Sequence, residues 1–155
     1  MPTSNALFVL AFVAALSSTT AATRRPPEPV AYPDGFRRWS HVHSALVGPG
    51  GTRPGLYHIY ANDAAMRGYA SGRFPEGSII VKEKFHSPED RKPLLYTIMR
   101  KREAGYNPKV GDWEFSVVGP NGTEMQAIGK LENCQGCHLS KSESDFVFRP
   151  YVTSQ

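Results

Sequence analysis

The segment WEFSVVGPNGTEMQAI, residues 113–128, carries the strongest indication of the fold. Trp113, Phe115 and Val117 alternate with polar residues, which is the spacing of a strand that buries one face. The Gly-Pro-Asn-Gly that follows is the clearest turn signal in the chain. It should join this strand to a second one at Thr123–Ile128. A hairpin of this kind predicts an antiparallel sheet.

Three further strands are expected before this hairpin. They are short segments rich in β-branched and aromatic residues, bounded by Gly, Pro or Asn, and they cover Leu56–Ala61, Ser78–Phe85 and Leu94–Arg102. Strands at regular spacing with few helices predict an α+β domain that is mainly β. The expected architecture is an antiparallel sheet of about five strands with two or three short helices.

Two helices are expected between the early strands. The first should cover Phe36–Leu46, because Asp34 can cap it and its apolar residues recur at helical spacing. The second should begin at Asn62 or Asp63 and end near Gly72. A third, of about one turn, is expected at the motif described next.

The pentapeptide CQGCH, residues 134–138, indicates the chemistry of the chain. Two thiols at this spacing can form thioether bonds to the vinyl groups of one haem, and His138 can then bind the iron. Cys134 and Cys137 are the only cysteines in the chain. The alternatives are a redox dithiol, which lacks the expected βαβ context, and half of a zinc site, which lacks further ligands. The motif therefore predicts one covalent haem c with its iron, attached near the C-terminus.

The amino-terminal segment, residues 1–22, has no charged side chain and contains the apolar run ALFVLAFVAAL. That run is too short to span a membrane, and small residues follow it, which is typical of a cleavable signal peptide. An uncleaved anchor is the alternative. We expect residues 23–33 to form an extended Pro-rich arm and residues 34–155 a single haem-binding domain. A periplasmic location, with no membrane insertion after signal removal, follows from this interpretation.

The charge of the chain does not indicate a nucleic-acid partner. Its formal net charge is +4, from 18 Lys and Arg against 14 Asp and Glu. The basic residues are scattered, apart from Arg100-Lys101-Arg102, and a run of this kind is typical of a solvated strand end. We therefore expect no nucleic acid among the partners.

Most of residues 36–151 resembles the cytochrome P-460 family, which includes the cytochrome c′-beta proteins. The resemblance is carried, in order, by FRRWSHVHS, LYHIYAND, FPEGSIIVKEKF, GYNPKVGDWEFSV, ENCQGCH and DFVFRPY. It implies a mainly antiparallel sheet, a haem with a proximal histidine and a homodimer. It also implies one of two activities: oxidation of hydroxylamine, or binding of nitric oxide or carbon monoxide without turnover.

Lys82, in the string Val-Lys-Glu, matches the position at which members of the hydroxylamine-oxidising type bond a lysine to the porphyrin. Such a bond would need an unprotonated amine, and partial burial would favour one because it lowers a lysine pKa. Alternation places Lys82 on the same face as Ile80 and Lys84, which suits either a solvated face or one turned toward the haem. An ordinary exposed strand lysine is thus the alternative.

Several residues are candidates for the other side of the iron. A distal carboxylate would help to remove protons, and Glu132 is the first candidate, with Glu103 and Asp112 behind it. Tyr57 or His58 could donate hydrogen bonds. An apolar distal wall could come from Phe74, Phe85 and Phe115. A sixth iron ligand would come from Met66, Met99, Met125, His41, His43, His58 or His86.

The motif and the amino-terminal segment predict a periplasmic mono-haem c-type cytochrome, and the family resemblance implies a five-coordinate iron bound by His138. The expected reaction is oxidation of hydroxylamine to nitrous oxide or nitrite, with electrons passed to a partner cytochrome. The first alternative is a gas-binding protein of the c′-beta type. The second is an electron carrier whose iron is six-coordinate.

Overall fold

The computed structural model describes residues 33–47 and 55–149. The expected signal peptide and the arm up to residue 32 lie outside this part of the chain, as do residues 150–155. Within the described part no helix has the length and apolar character needed to cross a membrane.

A single antiparallel sheet of six strands forms the body of the domain. In chain order the strands are β1 (Ser40–Val47), β2 (Gly55–Ala61), β3 (Ile79–Phe85), β4 (Leu95–Lys101), β5 (Trp113–Val118) and β6 (Met125–Gly129). Each strand pairs with the next one along the chain, so β1 and β6 are the edges. The mainly β, α+β fold class predicted from the sequence is confirmed.

In the part of the chain that the structure describes, two α-helices accompany the sheet: α1 (Asp63–Ser71) and α2 (Glu132–His138). The side-chain oxygen of Asn62 caps α1 by accepting from the backbone N–H of Ala65 at 2.9 Å, and Gly72 ends the helix in a left-handed conformation. Both ends agree with the sequence prediction. Short 3₁₀ helices occur at Phe36–Arg38, Pro108–Val110 and Leu139–Ser144.

The helix expected over Phe36–Leu46 is wrong. Only Phe36–Arg38 is helical, and β1 follows it. The pairing of β1 with β2 shifts between His41 and His43, which is a β-bulge. Because a bulge inserts an extra residue, Val42 and Ala45 pack against the same core cluster although they are three positions apart. The helix was predicted from Trp39, Val42 and Leu46, of which Trp39 packs on the other side of the sheet and Leu46 is exposed.

The expected hairpin is present between β5 and β6. The N–H of Gly119 donates to the carbonyl of Glu124 at 2.8 Å, and that of Gly122 donates to the carbonyl of Gly119 at 3.0 Å. Gly122 has a φ of 75°, which a side chain would disfavour. The turn signal in the sequence thus located the strand reversal correctly.

The two faces of the sheet bury different clusters. One, which we call the cavity face, carries Tyr57, Ile59, Ile80, Lys82 and Phe115, and α1 packs on its core. The other, which we call the opposite face, packs Val81, Tyr96, Ile98 and Val118 around Phe36. Strand alternation sets this division, because neighbouring residues point to opposite sides.

Candidate functional site

A cavity of about 410 Å³ lies between the cavity face and α2. This volume is in the range of small-molecule and cofactor sites. Cys134, Cys137 and His138 from α2 line it together with Lys82 from β3. The structure therefore brings the predicted attachment motif and the predicted lysine into one cavity.

The ring of His138 is held in a defined orientation. Its Nδ1 lies 2.7 Å from the backbone carbonyl of Phe146, and a carbonyl can only accept, so Nδ1 carries the proton. The rings of Phe115 and Phe148 lie 5.2 and 5.1 Å from it. In the neutral imidazole Nε2 then keeps its lone pair, which is the form that binds iron.

The pKa of His138 is lowered, chiefly by burial. The hydrogen bond to Phe146 opposes that effect, and the charge of Lys82 adds to it. A lowered pKa keeps the imidazole neutral over a wider pH range, as a metal ligand requires. Lys82 and His138 line the same cavity, which is why the charge of the ammonium affects the imidazole.

The two cysteines are free thiols on α2, with Cys134 partly buried and Cys137 exposed. The pKa of the Cys134 thiol is raised by burial and, to a smaller extent, by Cys137. Redox-active dithiols have a lowered pKa at the attacking cysteine, so this environment does not match the dithiol alternative. Within residues 33–47 and 55–149, no group of three His, Cys, Asp or Glu side chains could hold a metal ion.

Lys82 lies in the cavity as a partly buried side chain, opposite Ile59 of β2 and Thr97 of β4. Its Nζ sits over the ring of Tyr57, 4.0 Å from the centroid. Burial lowers the pKa of this lysine, and the charge of Lys84 lowers it further. The sequence left open whether Lys82 faces solvent or the haem. In the structure it lies on the cavity face, where the fraction of neutral amine is higher than it would be in water.

The three carboxylates considered for the distal side lie elsewhere. Glu132 is exposed in the first turn of α2 and does not line the cavity. Glu103 pairs with Arg102 at 3.3 Å, and Asp112 accepts from the backbone N–H of Asn107 at 2.8 Å. No carboxylate lines the cavity within the part of the chain that the structure describes.

The remaining distal candidates are separated by the sheet. Tyr57 is on the cavity side, whereas His58 is on the opposite face, 2.6 Å from the hydroxyl of Ser44. Phe115 lines the cavity, Phe74 packs in the core and Phe85 contacts His58.

Among the candidates for a sixth ligand, only Met99 lines the cavity in the described structure. Met66 packs against the cavity-face core and Met125 against the opposite-face cluster. The four candidate histidines are not among the cavity-lining residues.

Sequence reasoning missed several cavity residues. Thr97 lines the cavity, as does Lys84, which alternation had placed on the face of Lys82; Thr97 could have been found by extending that alternation across to β4. Tyr69 of α1 and Phe148 also line it. No sequence signal identifies the carbonyl of Phe146 as the acceptor for the histidine, because every residue carries one.

The donor set fits a c-type haem. The thiols of Cys134 and Cys137 and the imidazole of His138 lie along one wall of the cavity, and the hydrogen bond at Nδ1 fixes the orientation of that imidazole. Apolar side chains from β2 to β5 form the other wall. These residues could attach a haem through two thioether bonds and supply one histidine as a ligand to its iron.

Two comparisons with known proteins bear on this chain. A family model described as Cytochrome P460 matches residues 33–149, which is most of the chain. The search of curated proteins finds no significant match.

Proposed function

The chain belongs to the cytochrome P460 family and is a c-type haem cytochrome, and from this membership we propose that it oxidises hydroxylamine. In the proposed reaction two hydroxylamine molecules combine into nitrous oxide and water. The electrons go to an external acceptor, such as a second cytochrome, and the protons go to solvent. Nitrite is the alternative product.

Three residues would hold the cofactor. Cys134 and Cys137 would form the thioether bonds, and Nε2 of His138 would bind the iron as its single protein ligand. When bound, the haem supplies a redox-active iron that accepts electrons from the substrate. The hydrogen bond from Nδ1 to Phe146 fixes the imidazole in the tautomer that this role requires.

The observation that carries the proposal is the placement of Lys82. It shares a cavity with the CQGCH motif, it is partly buried, and its pKa is lowered. A bond from its Nζ to a porphyrin edge carbon would replace one N–H and one C–H bond and would release two protons and two electrons, the electrons to an external oxidant. It would need the neutral amine, and this environment increases the neutral fraction. The ring of Tyr57, beneath Nζ, would keep the lysine side chain directed along the cavity wall.

The optical spectrum of the purified ferrous holoprotein tests this proposal. A Soret band far to the red of an ordinary c-type haem is expected for the wild-type protein. Lys82→Arg should return the band to the ordinary position and abolish hydroxylamine-dependent reduction of an acceptor. Lys92→Arg, at an exposed lysine outside the cavity, is the matched control and should leave both unchanged.

A variant of the second cavity lysine separates two outcomes. If Lys84→Arg removes the red shift while Lys82→Arg retains it, the assignment to Lys82 is overturned. An ordinary five-coordinate spectrum in the wild-type protein would reject the cross-link, and a sharp low-spin spectrum would indicate a sixth ligand, for which Met99 is the candidate.

The second candidate function is binding of nitric oxide or carbon monoxide without turnover. The apolar wall favours it, because Ile59, Ile80, Met99 and Phe115 line the cavity and no described carboxylate does. Neutral diatomic ligands need no proton acceptor, whereas hydroxylamine oxidation benefits from one. Gas binding by a protein that fails to turn over hydroxylamine would select this function.

Export and dimer formation belong to the same proposal. The apolar segment in residues 1–22 supports transfer to the periplasm, where c-type haem can be attached. The homodimer is supported by family resemblance. Amino-terminal sequencing of the mature protein and its mass in solution would test these two statements.

A further inference from the structure

The chain reverses sharply at Asp145 and Phe146, just after the 3₁₀ helix that follows the CQGCH motif. Their φ angles are 54° and 63°, in the left-handed region that L-residues rarely adopt. Such a conformation is costly for a residue as bulky as Phe146. It persists only where neighbouring groups fix it, so the contacts around this turn are informative.

The carboxylate of Asp145 is the first of these contacts. The Nζ of Lys101, at the end of β4, lies 2.7 Å from both of its oxygens. The backbone N–H of Phe74 donates to the same carboxylate at 2.8 Å. The side chains of Lys101 and Asp145 are 12% and 8% exposed, so this ion pair is shielded from solvent and much less weakened by salt than a surface pair.

Two further contacts hold the backbone of the turn. The indole N–H of Trp113 donates to the carbonyl of Asp145 at 2.8 Å. Gly111 leaves the space that the turn occupies, since a Cβ there would lie 2.7 Å from the ring of Phe146 and 2.8 Å from the carboxylate of Asp145. The turn is thus fixed from β4, from β5 and from the loop before β5.

The turn presents the carbonyl of Phe146 to Nδ1 of His138. We infer that Asp145, held by Lys101, is a positioning residue that fixes this carbonyl and thereby sets the orientation and basicity of the histidine. The inference rests on the proposed role of His138 as the iron ligand. It gives the buried ion pair a function beyond stability, because the pair connects the sheet to the axial ligand.

The physical consequence concerns the iron–histidine bond. A well-aligned acceptor at Nδ1 makes Nε2 a stronger donor, which stabilises the ferric state. When the turn loosens, the carbonyl no longer stays aligned, and the bond to iron weakens. Partners of ligating histidines typically change metal affinity or activity by about 10-fold or more when lost. Asp145 affects the histidine only through the carbonyl of Phe146, so its loss should have a smaller effect. We expect a shift of up to about 10-fold in the ferric–ferrous equilibrium, which is about 59 mV for one electron.

The experiment uses the ferrous holoprotein and two measurements, the iron–histidine stretching frequency by resonance Raman and the midpoint potential. Asp145→Asn removes the charge and keeps a residue that tolerates a left-handed conformation. Lys101→Met removes the partner charge and keeps the chain that lies near Trp113. Lys101→Arg retains the charge and should therefore keep the wild-type stretching frequency and midpoint potential.

Arg37→Met is the matched control. It breaks another ion pair with a buried carboxylate, that of Glu83, but on the opposite face of the sheet. Asp145→Asn and Lys101→Met should lower the stretching frequency and raise the midpoint potential, whereas Arg37→Met should lower stability and leave both values unchanged. Gly111→Ala is a variant without a charge change, and it should shift both values in the same direction.

Three outcomes separate the hypotheses. If the wild-type protein has no iron–histidine mode, its ferrous iron is not five-coordinate with His138 as the ligand, and the proposed function itself fails. If the mode is present but identical in the Asp145 and Lys101 variants, the positioning role is rejected while ligation stands. Should Arg37→Met shift the mode as much as Lys101→Met does, the effect is a general consequence of destabilisation and the inference is overturned.

Discussion

Lys82 and Glu83 are neighbours on β3, yet they occupy two very different environments. Glu83, on the opposite face, is 2% exposed and is bound by the guanidinium of Arg37, which also donates to the hydroxyl of Tyr96 at 3.1 Å. Lys82, on the cavity face, has no ion-pair partner within the described residues and rests on the ring of Tyr57. One strand thus carries a fully paired charge on one side and an unpaired one on the other.

This difference separates structural charges from those available for chemistry. A buried charge is costly unless it is paired, so the pairing of Glu83 explains its tolerance in the core. The half-buried ammonium of Lys82 has no such compensation, and its pKa falls instead. Perturbed groups of this kind in a cavity are candidates for function.

The largest expected effect tests the cavity face. In a Lys82→Arg background, which excludes the proposed lysine–porphyrin bond, replacing Cys134 and Cys137 with Ala should abolish covalent haem attachment, since the chain has no other cysteine. Haem staining after denaturing electrophoresis measures it. Ser140→Ala, just beyond α2, is the control and should keep the stain. Covalent haem in the double variant would show that attachment does not use these thiols.

The next effect tests the opposite face. Arg37→Met should lower the free energy of unfolding by about 1–3 kcal/mol, because it leaves the buried carboxylate of Glu83 without its main partner. The haem spectrum should not change. Urea unfolding measures the loss, with Arg38→Met on the same 3₁₀ helix as the control. A spectral change in Arg37→Met would mean that the two faces are not independent.

A smaller effect concerns Lys82 in protein that lacks the cross-link. Its pKa is lowered from 10.5, so the unfolded chain binds the proton more tightly than the folded one. Stability should therefore rise as the pH increases through the folded pKa toward 10.5. The difference in urea midpoint between wild type and Lys82→Met should shrink or reverse over this range. A difference independent of pH would contradict the lowered pKa.

The smallest effect is a titration outside both clusters. Burial and a 3.0 Å hydrogen bond to Glu114 raise the pKa of Tyr106 to about 12. The stabilisation linked to its proton should be complete below pH 10 and lost as the pH rises toward 12. Phenolate absorbance should show a late-titrating tyrosine that Tyr106→Phe removes. If that variant leaves the titration curve unchanged, the hydrogen bond does not perturb this phenol.

The strands were predictable where alternation was regular. β5 and the hairpin to β6 follow from Trp113, Phe115 and the Gly-rich turn, because apolar residues at every second position predict a strand. Burial itself does not alternate along β5, since Glu114 and Ser116 on its other face are buried too. β1 failed for a specific reason. The helix was predicted from the spacing of Trp39, Val42 and Leu46, but these residues share no face: Val42 packs on the cavity-face cluster, Trp39 on the opposite-face cluster, and Leu46 is exposed.

The residues of the candidate site could be predicted from the sequence, but the contacts that orient them could not. The spacing of Cys134, Cys137 and His138 is local and visible in the sequence. The face of Lys82 depends on which side of the sheet α2 packs, which is a tertiary fact. The carbonyl of Phe146 is directed by an ion pair between positions 44 residues apart, and no local pattern encodes that.

The order of the strands has a consequence for the timing of assembly. Because each strand pairs with the next one along the chain, a polypeptide made from its amino end delivers the strands in the sequence in which they join. The two thiols emerge after the sixth strand. We expect the sheet to fold before the haem is attached. A haem-free chain should therefore retain the sheet, because the porphyrin is not needed to nucleate it.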